Sequence, residues 1–395
     1  MMRLRNWKNK KSEVGCRGRV PPLPEPKVLT SASSLVKHIN NLKFLEEDNN
    51  YVGGVLKMNW YLQSGKESDV VLSTRVRLAR NLKDVPFVGH MNKKDAEAVL
   101  EKVQAIVPSL GYGLKFLRLK DMDNTTRLSL IEKHLISPEF AVDKNELGAI
   151  VINGEENICI MVNEEDHLRI QILSSGLELE QALALAVEID EKLQSMVNFA
   201  FSEKYGFLTA CPTNVGTGMR ASIMVHLPAL TITGNSKKVL EAANNFGMNI
   251  RGVYGEGSKS QGDIYQISNK QSLSVSENEI IKNLKAITDK IIEQERLARK
   301  YLGKEQIELE DRVYRAFGVL ANARKISSDE AKDLLSIVKL GVDMGIIREV
   351  DDLKVNKLIL YTKPANLQIR IGKTLDSYER DVARAKVIKE IINEE

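Results

Sequence analysis

Five arginines occur in short polar settings within otherwise apolar segments of the sequence: Arg75, Arg77, Arg169, Arg220 and Arg251. An unpaired arginine charge is costly to bury. Any one of these residues is most simply explained as part of a solvated sheet face, but five of them near strand ends and glycine-rich loops favour a site for a polyanion. Because a guanidinium group donates paired hydrogen bonds to phosphate oxygens, the pattern indicates a phosphate-binding cluster.

Acidic side chains occur in two loops that could face such a cluster. The segment NEEDHLRI places Glu164, Glu165 and Asp166 in a predicted hairpin turn, with Arg169 four residues after Glu165. The segment YGEGS places Glu256 between two glycines, which is typical of a mobile loop. Turns are often acidic without any function, yet two separate glutamates beside arginines suit a reaction that joins a cation to a phosphoryl group.

The segment CPTNVGTGMRAS combines a cysteine, a turn and two glycines. Gly216 and Gly218 predict a backbone that approaches a ligand closely. A free cysteine is usually a small buried residue, but Cys211 near cationic arginines would favour the thiolate. The segment is therefore a candidate part of the same site.

The elements that must position these residues follow from hydrophobic periodicity. SDVVLSTRVRLAR alternates as a strand, with Thr74 and Val76 on one face and Arg75 and Arg77 on the other. Further strands are predicted in ENICIMV, HLRIQIL, RASIMVHL and on both sides of the YGEGS loop, and a long amphipathic helix in LELEQALALAVEIDEKLQSMVNFAF. The regular βαβ spacing and phosphate loops of parallel nucleotide-binding sheets are absent from the sequence, so we predict an α+β domain with an antiparallel sheet.

The last part of the chain is predicted to be helical. After residue 303 the pattern contains helices with polar or glycine stops and almost no strands. A chain of 395 residues is long enough for two domains. We therefore predict a catalytic domain over residues 58–303 and an all-helical domain over residues 304–395.

Composition excludes several classes of protein. The net charge of +4 is too small and dispersed to indicate nucleic-acid binding. Three distant cysteines predict neither a disulfide framework nor a zinc site, and fit a reducing cytoplasm. No apolar stretch is long enough to suggest a membrane span.

Residues 1–57 differ from the rest of the chain. A basic start without an apolar segment leads into a proline-rich stretch, PPLPEP, which indicates a disordered arm or a presequence rather than a secretory signal. We prefer the hypothesis that translation starts at Met58, because Gly53-Gly54-Val55-Leu56-Lys57 can be encoded by a purine-rich run resembling a bacterial ribosome-binding site. Codons that interrupt the purine run would disprove it.

Four segments in order, STRVRLAR, NEEDHLRI, CPTNVGTGMRAS and RGVYGEG, resemble the ATP:guanidino phosphotransferases, or phosphagen kinases, such as creatine and arginine kinases. The resemblance implies that the five arginines bind the phosphates of Mg²⁺-ATP and that His134 contacts the nucleotide. It also implies that Glu165 and Glu256 orient the acceptor guanidinium and take its proton, with Cys211 beside that group. A second nucleotide-side histidine of the family is replaced by Met224, and an arginine by Tyr254, which puts the adenine contacts in doubt.

The helical tail and the short segment before STRVRLAR resemble a subgroup, the bacterial protein-arginine kinases (McsB-like proteins). That resemblance implies protein substrates, a homodimer, and a phosphoarginine pocket at Arg380 and Asp381, although a charged helix near a C-terminus is usually a solvated face. It also implies a heat-shock repressor, a zinc-binding activator protein and a Clp ATPase as partners. The alternatives are a kinase for free arginine or another small guanidine, and a non-catalytic phosphoarginine-binding adaptor.

Overall fold

The computed structural model describes residues 59–141, 147–252 and 261–394. The predictions for residues 1–57, for a start at Met58 and for Glu256 and Tyr254 fall outside these ranges. Within them, no helix is long and apolar enough to cross a membrane.

An antiparallel sheet forms the centre of the larger region. Its eight strands run in the spatial order β2-β3-β4-β5-β1-β8-β10-β9, and a separate short hairpin pairs β6 with β7. All pairings are antiparallel, which confirms the predicted α+β class. The strands are β1 (Val71–Arg80), β2 (Lys115–Arg118), β3 (Ala149–Ile152), β4 (Ile158–Val162), β5 (Leu168–Ser175), β6 (Phe201–Ser202), β7 (Gly206–Phe207), β8 (Met219–His226), β9 (Met248–Gly252) and β10 (Ile264–Asn269).

Helices pack against both faces of the sheet and continue into a separate helical region. Several begin where the sequence supplies a cap: Asn92 and Asp95 form a capping box, as do Asp376 and Glu379, and Ser276 caps α7. The helices are α1 (Lys93–Leu110), α2 (Asn124–Glu132), α3 (Pro138–Ala141), α4 (Leu179–Met196), α5 (Pro228–Ile232), α6 (Ser236–Asn245), α7 (Glu277–Leu302), α8 (Gln306–Asn322), α9 (Ser328–Asp343), α10 (Asp352–Tyr361), α11 (Pro364–Ile371) and α12 (Ser377–Ile392).

The two faces of β1 carry different kinds of side chain. Val76 and Leu78 are fully buried in a core shared with α1, α4 and α7. Arg80 also lies on this face, where its guanidinium pairs with Asp190 of α4 at 2.7 Å. The opposite face carries Arg75 and Arg77. Strand alternation therefore separates the structural arginine of STRVRLAR from the two that face away from the main core.

The helical region has its own apolar core, built from α8, α9, α10, α11 and α12. It docks on the sheet region through α11: the carboxylate of Glu132 accepts hydrogen bonds from the backbone N–H groups of Ala365 and Asn366 at 2.8 and 2.9 Å. Lys363 donates to the Glu132 carbonyl at 2.7 Å. These bonds satisfy free N–H groups at the start of α11 with an anion from the other region.

Candidate active site

All five predicted arginines share one face of the sheet. Arg77 on β1 lies directly opposite Arg220 on β8, and Arg169 on β5 lies opposite Ala79, two residues beyond Arg77. Arg251 on β9 pairs with Gln266, which in turn pairs with Met224 on β8. Because side chains two residues apart on a strand share a face, four strands bring the five guanidinium groups to the same surface, here called the arginine face.

The central arginines of this face lack anionic partners within the described ranges. The Nε atoms of Arg77 and Arg220 are buried and have no hydrogen-bond partner. Arg75 reaches the Ser222 hydroxyl only at 3.4 Å, while Arg220 donates to Ser268 at 3.0 Å. Buried donors are nearly always satisfied in folded proteins, so the unsatisfied ones point to an anion that binds here.

The electrostatics of the arginine face support the same conclusion. Burial, together with the nearby positive charges of Arg220 and Arg169, lowers the pKa of Arg75 to about 10. Burial likewise lowers the pKa of Arg77 well below its usual range, with Arg75 the strongest of the neighbouring cations. Cations held together against their mutual repulsion would be stabilised by several negative charges, as a polyphosphate provides.

The acidic turn before β5 adjoins the arginine face. Arg169 pairs with Glu164 at 2.8 Å and also with Glu165, and Ser137 donates to Glu164 at 2.7 Å. Glu165 is the exposed member of the pair. Partial burial of its carboxyl group nevertheless raises its pKa, despite the lowering effect of the Arg169 charge. The turn thus offers a carboxylate with a raised proton affinity beside the row of cations.

Arg220 lies near both the acidic turn and Cys211. Burial lowers its pKa, the charges of Arg251 and Arg169 lower it further, and Cys211 and Glu165 raise it. Such mutual influence requires these side chains to lie near one another. Three of the predicted groups of residues, the arginines, Glu165 and Cys211, are therefore assembled in one place.

The loop that carries Cys211 is shaped by contacts with the chain itself. Its Sγ lies 3.0 Å from the Thr213 hydroxyl, at the start of a single helical turn, Pro212–Asn214. Gly216 has φ of 111°, and a Cβ there would lie 2.4 Å from the Ser272 carbonyl oxygen. A Cβ on Gly218 would meet Arg80 at 2.5 Å. The glycines were predicted to approach a ligand; in the structure the close approach is to neighbouring protein atoms.

A buried polar network that we did not predict fixes the loops that carry Glu165 and Cys211 to each other. The carboxylate of Asp166 accepts from the Asn81 amide at 2.6 Å and from the Ala210 backbone N–H, just before Cys211, at 2.7 Å. His167 Nδ1 accepts from the Leu82 N–H at 2.9 Å, which leaves its Nε2 to donate to the Pro86 carbonyl at 2.8 Å. The only sequence signal for this network was its place in NEEDHLRI, because the partners are distant in the chain.

His134 lies beside β5, where its backbone carbonyl accepts a hydrogen bond at 3.0 Å from Gln171, the residue that pairs with Arg77 across the sheet. Its pKa is lowered well below the usual range by burial, then by the positive charges of Lys363 and Arg75. The residue has a positive φ of 62° and follows the end of α2. The structure thus places it between Arg75 and the helical region.

Arg380 and Asp381 lie on α12, in the helical region. Asp381 pairs at 2.7 Å with Arg384, which is buried and donates to the carbonyls of Thr362 and Ile326. Arg380 donates to the Leu375 carbonyl at 3.0 Å. Both residues have partners within the helical region, and their role in phosphoarginine binding stays a prediction.

Comparison with known proteins identifies the family. The family model of the ATP:guanido phosphotransferase C-terminal catalytic domain matches residues 98–298, and that of the protein-arginine kinase McsB C-terminal domain matches residues 306–395. The protein-arginine kinase of Halothermothrix orenii is 49% identical over 85% of this chain and 96% of its own length. The chain belongs to the protein-arginine kinase family.

Other relatives agree with this membership, and solved structures share the fold. Protein-arginine kinases of Geobacillus sp. and Bacillus pumilus are each 45% identical over 84% of the chain and over 93% and 92% of their own lengths. A substrate-free duplicated taurocyamine kinase from Schistosoma mansoni has a TM-score of 0.52 and 24% identity, covering 70% of this chain and 41% of its own. A lombricine kinase has a TM-score of 0.52 and 22% identity, covering 64% and 75%. These two likenesses concern the fold alone.

Proposed function

We propose that the protein transfers the γ-phosphoryl group of ATP to arginine side chains of other proteins. The observation that carries this proposal is the arginine face, with buried, unpaired Nε donors on Arg77 and Arg220 next to Glu165 and Cys211. A polyphosphate on one side and an acidic, cation-accepting turn on the other suit phosphoryl transfer to a guanidinium group.

The proposed reaction breaks the bond between the γ-phosphorus and the β,γ-bridging oxygen and forms a phosphorus–nitrogen bond to the acceptor. The arginine face holds the phosphates and neutralises charge on the transferred group. A protonated guanidinium is a poor nucleophile, since its pKa lies above about 12. Glu165 would orient it and accept the proton it loses, together with Glu256 of the predicted second loop, while Cys211 adds negative charge beside it.

Magnesium would enter with the nucleotide. Among the described residues, no group of three or more His, Cys, Asp or Glu side chains is placed to hold a metal ion. Mg²⁺ usually keeps most of its ligands as water and phosphate oxygens when it accompanies ATP, so a dedicated cage is not needed. The ion would supply further charge neutralisation at the phosphates.

The relatives favour arginine within a protein, rather than free arginine, as the acceptor. They are named protein-arginine kinases, and the match with this chain covers nearly their whole length. From the same kinship we propose cytoplasmic action on a heat-shock repressor and on proteins destined for a Clp protease, with a zinc-binding activator as partner. A phosphoarginine pocket at Arg380 and Asp381 would belong to this role. A non-catalytic adaptor would not need the intact set of arginines beside Glu165, which argues against that alternative.

A homodimer is also proposed. Leu297 and Tyr301 near the end of α7 and Ile307 and Tyr314 on α8 are large apolar side chains exposed on neighbouring helices. Exposed apolar surface often marks a protein interface. Light scattering on the purified protein tests the dimer, and a monomer at every concentration would contradict it.

The function is tested by incubating the protein with Mg²⁺-ATP and a loosely folded protein substrate, followed by mass spectrometry under neutral conditions that preserve the acid-labile phosphorus–nitrogen bond. We expect phosphoarginine in the substrate. Phosphorylation of free arginine without any modified protein would favour the small-guanidine alternative, and ATP binding without turnover would favour the adaptor.

A further inference from the structure

Several loops meet at one end of the central sheet, the end that also carries the acidic turn. The pairing of Arg80 with Leu168 places the end of β1 beside the start of β5, and β8 begins at the same side. Because β10 runs antiparallel to β8, it also ends there. We call this side the acceptor end, since the proposed reaction places the acceptor guanidinium beside Glu165 and Cys211.

The Cys211 loop is held between two other segments at the acceptor end. The hairpin of β6 and β7 leads directly into the loop, and Phe207 of β7 exchanges backbone hydrogen bonds with Gly216 at 2.8 and 3.3 Å. On the other side, Ser272 follows the end of β10 and donates its hydroxyl to the Thr213 carbonyl at 2.8 Å. Both flanking segments are therefore fixed to the loop that would lie next to the acceptor.

Large apolar side chains are exposed on these two flanking segments. Phe201 and Tyr205 of the hairpin are 58% and 47% exposed, and Leu273, next to Ser272, is 46% exposed. Phe201 packs edge-to-face against Phe207 with ring centroids 5.2 Å apart. Aromatic side chains lose little conformational entropy on binding and are common where one protein chain contacts another. We call Phe201, Tyr205 and Leu273 the apolar rim.

A polypeptide acceptor meets the apolar rim, whereas free arginine does not. An arginine beside Cys211 brings its own backbone to the acceptor end, so its neighbours in the substrate lie against the segments that flank the loop. Apolar neighbours bury surface there together with Phe201 and Leu273. A folded protein keeps most such side chains inside, while an unfolded chain exposes them. The apolar rim therefore fits an unfolded polypeptide with apolar residues next to its arginine.

We propose that the apolar rim binds apolar side chains that neighbour the acceptor arginine in an unfolded substrate. The inference rests on the proposed function, because it takes the acceptor to be a protein. It adds a specificity, since arginines in apolar segments are phosphorylated in preference to arginines in polar ones. The contribution of the rim lies in the KM for the polypeptide and not in the affinity for ATP.

Two peptides test the proposal on the unmodified protein. They have equal length and charge and one central arginine, which is flanked by leucine and phenylalanine in the first peptide and by serine and glycine in the second. We expect a roughly tenfold lower KM for the apolar peptide, because its side chains become buried on the rim, with a similar kcat. An equal KM for both peptides, or a lower KM for the polar one, would overturn the proposal.

The variants Phe201→Ser and Leu273→Ser locate the preference. Each should raise the KM of the apolar peptide severalfold and leave the KM of the polar peptide and the affinity for ATP unchanged. Because Phe201→Ser also removes the ring contact with Phe207, Leu273→Ser keeps the proposal testable if that variant folds poorly. The control is Val319→Ser, at an exposed apolar side chain on α8 of the helical region. A preference that survives in both rim variants would refute the proposal.

The other occupant of such a surface is a second copy of the chain. In that case Leu273→Ser would change the molecular mass measured by light scattering and leave the peptide preference unaltered. This outcome would also refute the proposal.

These results separate the inference from the proposed function. Equal phosphorylation of the two peptides would leave the protein-arginine kinase activity standing and remove only the inference. Phosphorylation of neither peptide at saturating ATP would refute both.

Discussion

At the scale of single residues, the alternation of one strand decides which arginines can meet a ligand. Arg75 and Arg77 point to the arginine face, whereas Arg80 points into the core and pairs with Asp190. Sequence alternation predicted the first two correctly, since a period of two is a strong local signal. Arg220 and Arg169 come close to Arg75 and Arg77 only because strands distant in the sequence pair with one another. Only the resemblance to a family anticipated this arrangement.

Arg220→Ala should weaken ATP binding, because it removes a charged donor from the phosphate site. A hydrogen bond to a charged group contributes about 1.5–3 kcal/mol, which corresponds to roughly a 10- to 150-fold higher Kd. Calorimetric titration with ATP measures it. Arg315→Ala, at an exposed arginine paired with Asp311 on α8, is the control and should bind normally. An unaltered Kd in Arg220→Ala would exclude this residue from the phosphate site.

Glu165→Gln should lower kcat by about 10²–10⁴ while ATP affinity changes little, because the carboxylate acts on the acceptor and not on the nucleotide. Single-turnover phosphorylation of a protein substrate measures the loss. Glu188→Gln, at an exposed glutamate on α4, serves as the control. Full activity in Glu165→Gln would remove this residue from the mechanism.

The pH dependence follows from the raised pKa of Glu165. A base must be ionised, and a raised pKa means that the carboxyl takes up a proton at a higher pH than an ordinary glutamate, whose pKa is about 4.3. Activity should therefore fall on acidification before the ordinary range is reached, and the acidic limb should disappear in Glu165→Gln. A limb at or below pH 4.3 would contradict this assignment.

At the scale of elements, the two loops that carry Glu165 and Cys211 are held together by a buried carboxylate. Asp166 connects the turn before β5 to the segment before Cys211 and to Asn81 at the end of β1. The strands themselves were predictable from periodicity. The hydrogen bonds of Asp166 were not predictable from periodicity. Polar residues are ordinary in a turn, and Asp166 becomes buried only when the two loops meet.

Asp166→Ala should leave the Ala210 N–H without a partner and remove one of the two hydrogen bonds that the Asn81 amide donates, the other being to the Leu208 carbonyl, and so destabilise the fold. Each unsatisfied buried group costs about 1–3 kcal/mol. We expect a lower Tm and a loss of kcat that persists at temperatures where the variant is fully folded, because Cys211 and Glu165 are no longer held in register. Asp311→Ala, at an exposed surface aspartate, is the control. A lower Tm with normal kcat would make Asp166 purely structural.

At the scale of the whole molecule, the helical region is bound to the sheet region by specific hydrogen bonds. The sequence predicted three of its helices from strong periodicity and caps. It did not reveal α10 and α11, which are short. The start of α11 is held by Glu132 of the sheet region. Contacts between the two regions therefore help to fix this helix, which is why it could not be derived from the local sequence pattern.

The acceptor is the central claim, and a competition experiment tests it most directly. The protein is given Mg²⁺-ATP with equal concentrations of free arginine and of an unfolded polypeptide that contains arginine, and phosphorus NMR follows the two phosphoarginine products. We predict phosphoarginine in the polypeptide, almost none on free arginine, and neither product with Glu165→Gln. Preferential phosphorylation of free arginine would contradict the account.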